Sequence, residues 1–318
     1  MAKALRDAYG EALRKFGADE RIVVLDADVS SSTKTSLFAK EYPDRFYNVG
    51  IAEANMCGMA AGLASVGKIP FVNTFAVFLT SLGLLPARAF ASYGDLPVKY
   101  AGGYGGLSDA FDGPSHHALE DIAIMRALPN FEVYVPCSEI QLNWLMQYAI
   151  DTPKPMYLRL SRDTFPEVYQ EGASFESGKG TILREGNDVT IIACGLMVGN
   201  ALQAAEMLAE EGIQARVVDM FSIKPIDREL ILQCAEETGA VVSAEEHSII
   251  GGLGSAVAEV LAAAGTEAKM GFVGMQDRHA ECGPYKALQA KYGLDAAAIA
   301  AKVRETVQRK NTDRIRVF

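Results

Sequence analysis

A chain of 318 residues has room for about two domains, and 49% hydrophobic against 22% charged residues is the balance of a compact globular protein without low-complexity segments. Forty acidic and thirty basic residues leave a formal net charge of −10, which argues against a broad nucleic-acid or anionic-membrane footprint while leaving room for a local basic pocket that takes a phosphorylated small molecule. Cys57, Cys137, Cys194, Cys234 and Cys282 form no C-x-x-C pair and leave one over in any disulfide scheme, so reduced core thiols and a cytoplasmic protein are expected.

Leu5, Tyr9, Leu13 and Phe16 recur every three or four residues, with Arg6, Asp7, Glu11 and Arg14 on other faces. Met1 to Phe16 therefore reads as an amphipathic surface helix, not a leader sequence, and no apolar run approaches the roughly 20 residues of a membrane span. Ile22 to Leu25 is a buried strand that delivers Asp26-Ala27-Asp28-Val29-Ser30-Ser31-Ser32-Thr33 to its carboxyl end, the edge at which open parallel sheets bind ligands. The same loop would also serve as a helix cap.

Tyr47 to Gly62 places one carboxylate, Glu53, at the mouth of an apparent helix. Cys57, Ala60, Ala61 and Ala64 follow at helical spacing, a face small enough for a flat ligand or another backbone to approach. An acid there either closes a first-turn cap or shuttles a proton. Ile69 to Phe75 is a second apolar strand, ending in Phe75 with Phe78 close behind. Two aromatic rings at a strand end are core, or a stacking wall for a planar heterocycle. Pro86 predicts a break in the helix that follows.

Val98 to Ala101 precedes the loop Gly102-Gly103-Tyr104-Gly105-Gly106, which runs into Asp109 and on to Asp112-Gly113-Pro114-Ser115-His116-His117. Ser115 is expected to cap the helix that carries Ala118, Ile122 and Met125. His116 and His117 have no ligand triad beside them in sequence, so hydrogen bonding to a polar substrate is the better reading and no metal ligand is assigned in this chain. Glu132 to Pro136 and Met156 to Leu160 read as strands around a helix from Gln141 to Ile150, and Arg162 again stands at a strand's carboxyl end. Strand and helix in alternation imply a mainly parallel α/β sheet covered on both faces.

From Thr164 to Gly186 the pattern weakens. A second alternating unit follows, with strands Val189 to Ala193, Ala215 to Asp219 and Ala240 to Ala244, and helices Val198 to Glu211, Asp227 to Glu237 and Ser255 to Ala264. The Gly251-Gly252-Leu253-Gly254 turn lacks the full phosphate-binding fingerprint and reads as tight strand-to-helix packing. The expectation is two consecutive α/β domains, each a mainly parallel sheet flanked by helices, over residues 1–165 and 187–318 with a linker at 166–186.

Taken in order, Arg6-Asp7-Ala8-Tyr9-Gly10, Asp26-Ala27-Asp28, Ile51-Ala52-Glu53, Thr74-Phe75-Ala76-Val77-Phe78, Asp112-Gly113-Pro114-Ser115-His116, Leu160-Ser161-Arg162 and Val218-Asp219-Met220 resemble the C-terminal half of a transketolase, from its pyrimidine-binding domain through its C-terminal domain. The resemblance implies that Glu53 hydrogen-bonds the aminopyrimidine of thiamine diphosphate and favours the tautomer that takes the thiazolium proton. It implies that Phe75 stacks on that ring with Phe78 behind it, and that Asp28 helps to hold the cofactor. Asp112 and His116, the latter also a catalytic candidate, match positions that contact sugar hydroxyls. Arg6, Ser32 and Arg162 match positions that bind a substrate phosphate. The implied reaction is transfer of a two-carbon ketol unit from a ketose to an aldose. Tyr104 departs from the family by standing where many members place a substrate-contacting histidine.

Nothing in the chain matches the family's Gly-Asp-Gly motif with a following Asn. The resemblance therefore implies a split enzyme, with the diphosphate and its Mg2+ or Ca2+ held mainly by an N-terminal-type partner subunit and two copies of each chain. The β-subunit of a 2-oxo-acid dehydrogenase, a deoxyxylulose phosphate synthase-like enzyme and a catalytically silent scaffold subunit are the alternatives.

Overall fold

The computed structural model describes residues 3–164 and 166–315, with side chains up to residue 312; Met1, at the start of the expected first helix, lies outside the described residues. Among the described residues, twelve strands build two sheets. The first contains β1 (Ile22–Asp26), β2 (Phe46–Asn48), β3 (Ile69–Phe75), β4 (Lys99–Gly103), β5 (Glu132–Tyr134) and β6 (Met156–Arg159). The second contains β7 (Thr181–Arg184), β8 (Val189–Ala193), β9 (Ala215–Asp219), β11 (Ala240–Ser248) and β12 (Lys269–Met275). The short strand β10 (Ser222–Lys224) leaves the second unit and joins the first sheet, which runs β10-β5-β6-β4-β3-β1-β2. All its pairs are parallel except β10 on β5. The second sheet runs β12-β11-β8-β9-β7 and is parallel except at the edge pair β7–β9.

The apolar runs explain this arrangement. β1, β4, β8 and β9 are buried along their whole length, as strands covered by helices on both faces must be. On one face of the first sheet, Leu5, Tyr9 and Leu13 of the helix Leu5–Phe16 pack on Ile22, Val24 and Phe71. On the other, Met56, Cys57, Ala60 and Ala64 of the helix Glu53–Ser65 pack on Val23, Leu25 and Val72. Asp227 and Ser138 cap their helices through side-chain oxygens that accept from Leu230 N at 3.0 Å and Gln141 N at 3.1 Å, each satisfying an orphan donor.

Several local expectations are corrected. Phe46 opens an unforeseen edge strand, β2, before the Glu53 helix. The break expected near Pro86 falls just ahead of it, at Leu82-Gly83, and a short helix Leu84–Pro86 then continues into a π-helical stretch, Ala87–Ser92. Pro86 falls in the first turn of that helix, where its missing N–H has no intrahelical acceptor to lose. Ser115 does not cap the next helix, which starts at Asp121 behind Glu120, and its Oγ instead lies 3.0 Å from His116 Nδ1. Mutual pairing of Gly106 and Ala118 backbones, at 2.9 and 3.1 Å, holds the segment away from that helix. The weakly patterned stretch after Thr164 carries β7 and is tied down by Tyr169, whose phenol donates to Asp219 Oδ2 at 2.6 Å.

At the Gly251–Gly254 turn, Leu253 N and Gly254 N donate to the Glu245 carboxylate at 2.7 and 2.8 Å. An internal anion thus takes the helix N-terminus. The last strand and the helices Tyr285–Tyr292 and Ala296–Ile315 complete the second unit. Among the described residues, no helix is long and apolar enough to cross a membrane.

Candidate active site

The carboxyl ends of neighbouring strands converge on one edge of the first sheet. β3 ends in Thr74-Phe75 and passes into the helix Ala76–Ser81, which carries Phe78. β4 runs into Tyr104, β6 leads to Arg162, and β1 leads to Asp28. Glu53 opens its helix as the first residue, is 4% exposed, and has Thr74 Oγ1 as a hydrogen-bond donor at 3.4 Å. Burial pushes the thiol of Cys57, one turn on, up to about 12, with the Glu53 carboxylate adding to it. Cys57 is therefore an inert packing group.

Beside Glu53 stands an aromatic wall. The Phe75 ring lies 4.5 Å from that of Tyr104, 6.0 Å from that of Phe78 and 5.9 Å from that of His116, and His116 meets Phe78 edge-on at 5.1 Å. Phe75 and Phe78 are only half-buried. A buried carboxylate with one long hydrogen bond, next to half-open aromatic faces, fits a flat nitrogen heterocycle that offers one polar edge.

Tyr104 is the hub of the polar side. Its backbone is left-handed at φ 61°, a conformation that costs a non-glycine residue on the order of 1 kcal/mol. The guanidinium groups of Arg6 and Arg162 each lie 5.4 Å from its ring, within cation–π range. Arg6 Nη1 also donates to the Tyr104 phenol oxygen, and Arg162 Nη1 donates to Asp109 Oδ1 at 3.0 Å. Two buried polar atoms here, Arg6 Nε and Asp109 Oδ2, have no hydrogen-bond partner. Such groups are costly unless something satisfies them.

Asp109 was not singled out by sequence, although an acid just beyond a glycine-rich loop was a usable signal. Burial raises its carboxyl above the usual range, Asp112 adds to the rise, and Arg162 and His116 oppose it. Asp109, exposed Asp112 and half-buried His116 bring ligand atoms within 4.8 Å of one another, so the fold assembles the triad that the sequence order does not display. Arg162 supplies positive charge to Asp109. His117 is buried, and burial lowers its basicity.

Two candidates stand apart. Asp28 is exposed, with φ 67°, and its Oδ1 accepts from Asn48 Nδ2 at 2.8 Å. Ser32 lies on the helical turn Ser30–Thr33, and among the described residues no hydrogen bond joins it to Arg6, Tyr104 or Arg162. Beside that turn, Lys34 pairs with Asp7 at 3.3 Å.

Comparison with known proteins agrees with this geometry. Residues 1–167 match the family model of the transketolase pyrimidine-binding domain, and residues 178–299 that of the transketolase C-terminal domain. The 6-deoxy-6-sulfo-D-fructose transketolase subunit of Clostridium sp. (strain MSTE9) is 41% identical over 308 residues, covering 96% of this chain and 95% of that one. An apulose-4-phosphate transketolase subunit of Phocaeicola vulgatus is 39% identical over 308 residues, covering 96% of this chain and 98% of that one. A split-gene transketolase solved as an inactive β4 tetramer superimposes with a TM-score of 0.88 at 50% identity, covering 98% of this chain and 100% of that one. With both domain models matched in order and relatives of nearly equal length, the chain belongs to the transketolase family.

Proposed function

We propose that this chain is the C-terminal subunit of a split, thiamine-diphosphate-dependent transketolase that moves a two-carbon ketol unit from a ketose to an aldose. The observation that carries the reading is the buried Glu53 carboxylate beside the Phe75, Phe78 and Tyr104 rings. Thiamine diphosphate, when bound, supplies the electron sink for carbon–carbon cleavage. The chain's own residues bind and orient. Glu53 accepts a hydrogen bond at a carboxylate oxygen from the pyrimidine ring nitrogen, and so governs where the ring's proton sits. Phe75 stacks on the ring, Phe78 backs it, and Asp28 steadies the cofactor at its edge. Asp112 and His116 take the sugar hydroxyls, with His116 placed to pass a proton to a substrate oxygen.

Arg6 and Arg162, with Tyr104 between them and Ser32 beyond, recognise an anionic tail on the sugar. The two related transketolases named for a sulfo-sugar and a sugar phosphate both act on substrates of that kind, which suits guanidinium forks. The diphosphate and its Mg2+ fall to an N-terminal-type partner chain, with two copies of each subunit. The inactivity of the β4 tetramer formed by the similar split-gene chain supports this dependence, and the free thiols support a cytoplasmic setting.

The test is reconstitution with an N-terminal-type subunit, thiamine diphosphate and magnesium, offering phosphorylated and sulfonated ketoses with an aldose acceptor. Ketol transfer is the expected result. Decarboxylation of a 2-oxo acid without ketol transfer, or cofactor binding without turnover, would overturn the reading.

A further inference from the structure

The loop that presents Tyr104 and Asp109 is held from the second domain. Glu246, buried on β11, reaches across and accepts the backbone N–H of Leu107 at Oε1, 2.6 Å away. Its other oxygen accepts from the Tyr285 phenol, which in turn accepts from Gln289 Nε2 at 3.0 Å. Its backbone carbonyl accepts from Arg159 Nη2 at 3.0 Å. Arg159 is itself fixed on both sides of the loop: Nε and Nη2 donate to the Asp121 carboxylate at 2.6 and 3.0 Å, and Nη2 donates to Ala118 O at 2.9 Å.

The fit around the carboxylate leaves little slack. Gly106 has φ 69°, and a Cβ built on it would collide with Glu246 Oε1, so only glycine satisfies both the turn and the approach. Leu107, Ala110 and Leu119, which belong to the first domain by sequence, are buried in the core of the second. Tyr104 lies three residues before the clasped amide, Asp109 two after it and Asp112 five after it.

We propose that Glu246 is a positioning residue for substrate: by clasping the Leu107 amide it sets the loop that carries Tyr104 on one side and Asp109 and Asp112 on the other, so that sugar recognition in the first domain is governed from the second. The inference rests on the transketolase reading for the identity of the ligand, but not for the clasp. A buried N–H left without its acceptor costs on the order of 1–3 kcal/mol, or about ten- to a hundred-fold in an equilibrium. The loop then has reason to leave its strained left-handed turn at Tyr104.

The experiment uses Glu246→Ala, Glu246→Gln and Tyr285→Phe in the full chain, assembled with the partner subunit, thiamine diphosphate and magnesium. Hydrogen exchange of the segment 103–110 is followed alongside donor KM, kcat and cofactor affinity. Glu246→Ala should speed exchange at Leu107 roughly ten-fold or more and raise donor KM about ten-fold, with cofactor affinity within about two-fold of wild type. Glu246→Gln keeps a carbonyl oxygen for the Leu107 amide and should restore donor KM to within about three-fold; Tyr285→Phe, which removes one hydrogen bond from the carboxylate, should fall between the two.

Unaltered exchange at Leu107, an unchanged donor KM in Glu246→Ala, or cofactor affinity falling in step with donor KM would overturn the proposal. If Glu246→Ala fails to fold, Glu246→Gln and Tyr285→Phe decide it, and equal loss in both without a change in exchange overturns it. The exchange measurement does not depend on turnover. An inactive wild-type complex therefore removes the transketolase reading alone, and unaltered exchange removes the clasp alone.

Discussion

At the scale of single residues, the proposed function assigns Glu53 to the cofactor and Tyr104 to the sugar, and each assignment has its own test. Glu53→Gln keeps the shape of the side chain and its contact with Thr74 but withdraws the negative charge. Turnover in the assembled enzyme should fall by about 10²- to 10⁴-fold, the usual weight of a lost acid–base group, while thermal unfolding stays within a few degrees of wild type. Near-normal turnover would remove Glu53 from the proton relay. Tyr104→His would exchange a phenol that accepts from Arg6 for a shorter imidazole, loosening both guanidinium groups. The ratio of kcat/KM for phosphorylated over sulfonated donors should shift by about ten-fold, roughly the worth of one charge-assisted hydrogen bond. An unchanged ratio would show that the phenol does not set preference. Glu53, Phe75, Phe78, Asp112, His116 and Arg162 were legible because each stands in a short motif at a strand or helix end. Glu246 was not, since its partners Leu107 and Tyr285 are distant in the chain, and Asp109 showed only as an acid beyond a glycine-rich loop.

At the scale of elements, the helix Glu53–Ser65 has two different jobs on two faces. Met56, Cys57, Ala60 and Ala64 are buried against the sheet, while Gly58, Ala61, Gly62 and Ser65 line a groove of about 470 Å3 together with Phe90, Tyr93 and Leu96. Of its lining, Phe90 is exposed and Tyr93 is 90% exposed. Exposed apolar residues in such a concentration mark an interaction surface. The groove runs along the helix from Gly58 to Ser65, and the occupant to test is the N-terminal-type partner of the proposed function. Tyr93→Asp should leave the isolated chain folded and weaken its affinity for that partner at least ten-fold, as loss of an interface aromatic does, measured by titration of one subunit into the other. Unchanged affinity would move the partner to another face. Of the small face the sequence displayed, Cys57, Ala60 and Ala64 are buried against the sheet and only Ala61 reaches the groove.

At the scale of the whole molecule, buried polar groups join the two units and give the stability a definite pH dependence. Burial would raise the Asp121 carboxyl, but the Arg159 guanidinium outweighs it and holds the group below its ordinary range. Asp121→Ala would leave Arg159 charged and unpaired inside the protein, and should cost about 3–5 kcal/mol, read from denaturant unfolding. Asp219 behaves in the opposite sense. Burial lifts its carboxyl to about 6, against the hydrogen bonds from Tyr169, Gln141 and Cys137. Because the folded form holds its proton more tightly than the unfolded form, this contribution is full below about pH 4 and is lost as pH rises through about 6. Asp219→Asn should flatten the stability profile between pH 4 and 7, by up to about 3 kcal/mol at the upper end. A variant whose melting temperature follows wild type across that window would refute the assignment.

The order of strands and helices, the buried apolar runs and the family motifs are properties of local sequence, and so the α/β class and the mainly parallel sheets were determined by the sequence itself. Pattern and propensity act over a few residues, which is enough to place Glu53 at a helix mouth and Phe75 at a strand end. The passage of β10 into the first sheet, the burial of Leu107 in the second unit's core, the meeting of Asp109 with Asp112 and His116, and the clasp of Glu246 on the Tyr104 loop were decided only by tertiary structure. They arise where groups from a few to more than a hundred residues apart are folded against one another, and nothing in the spacing of a linear chain records which of its polar groups will become each other's partners.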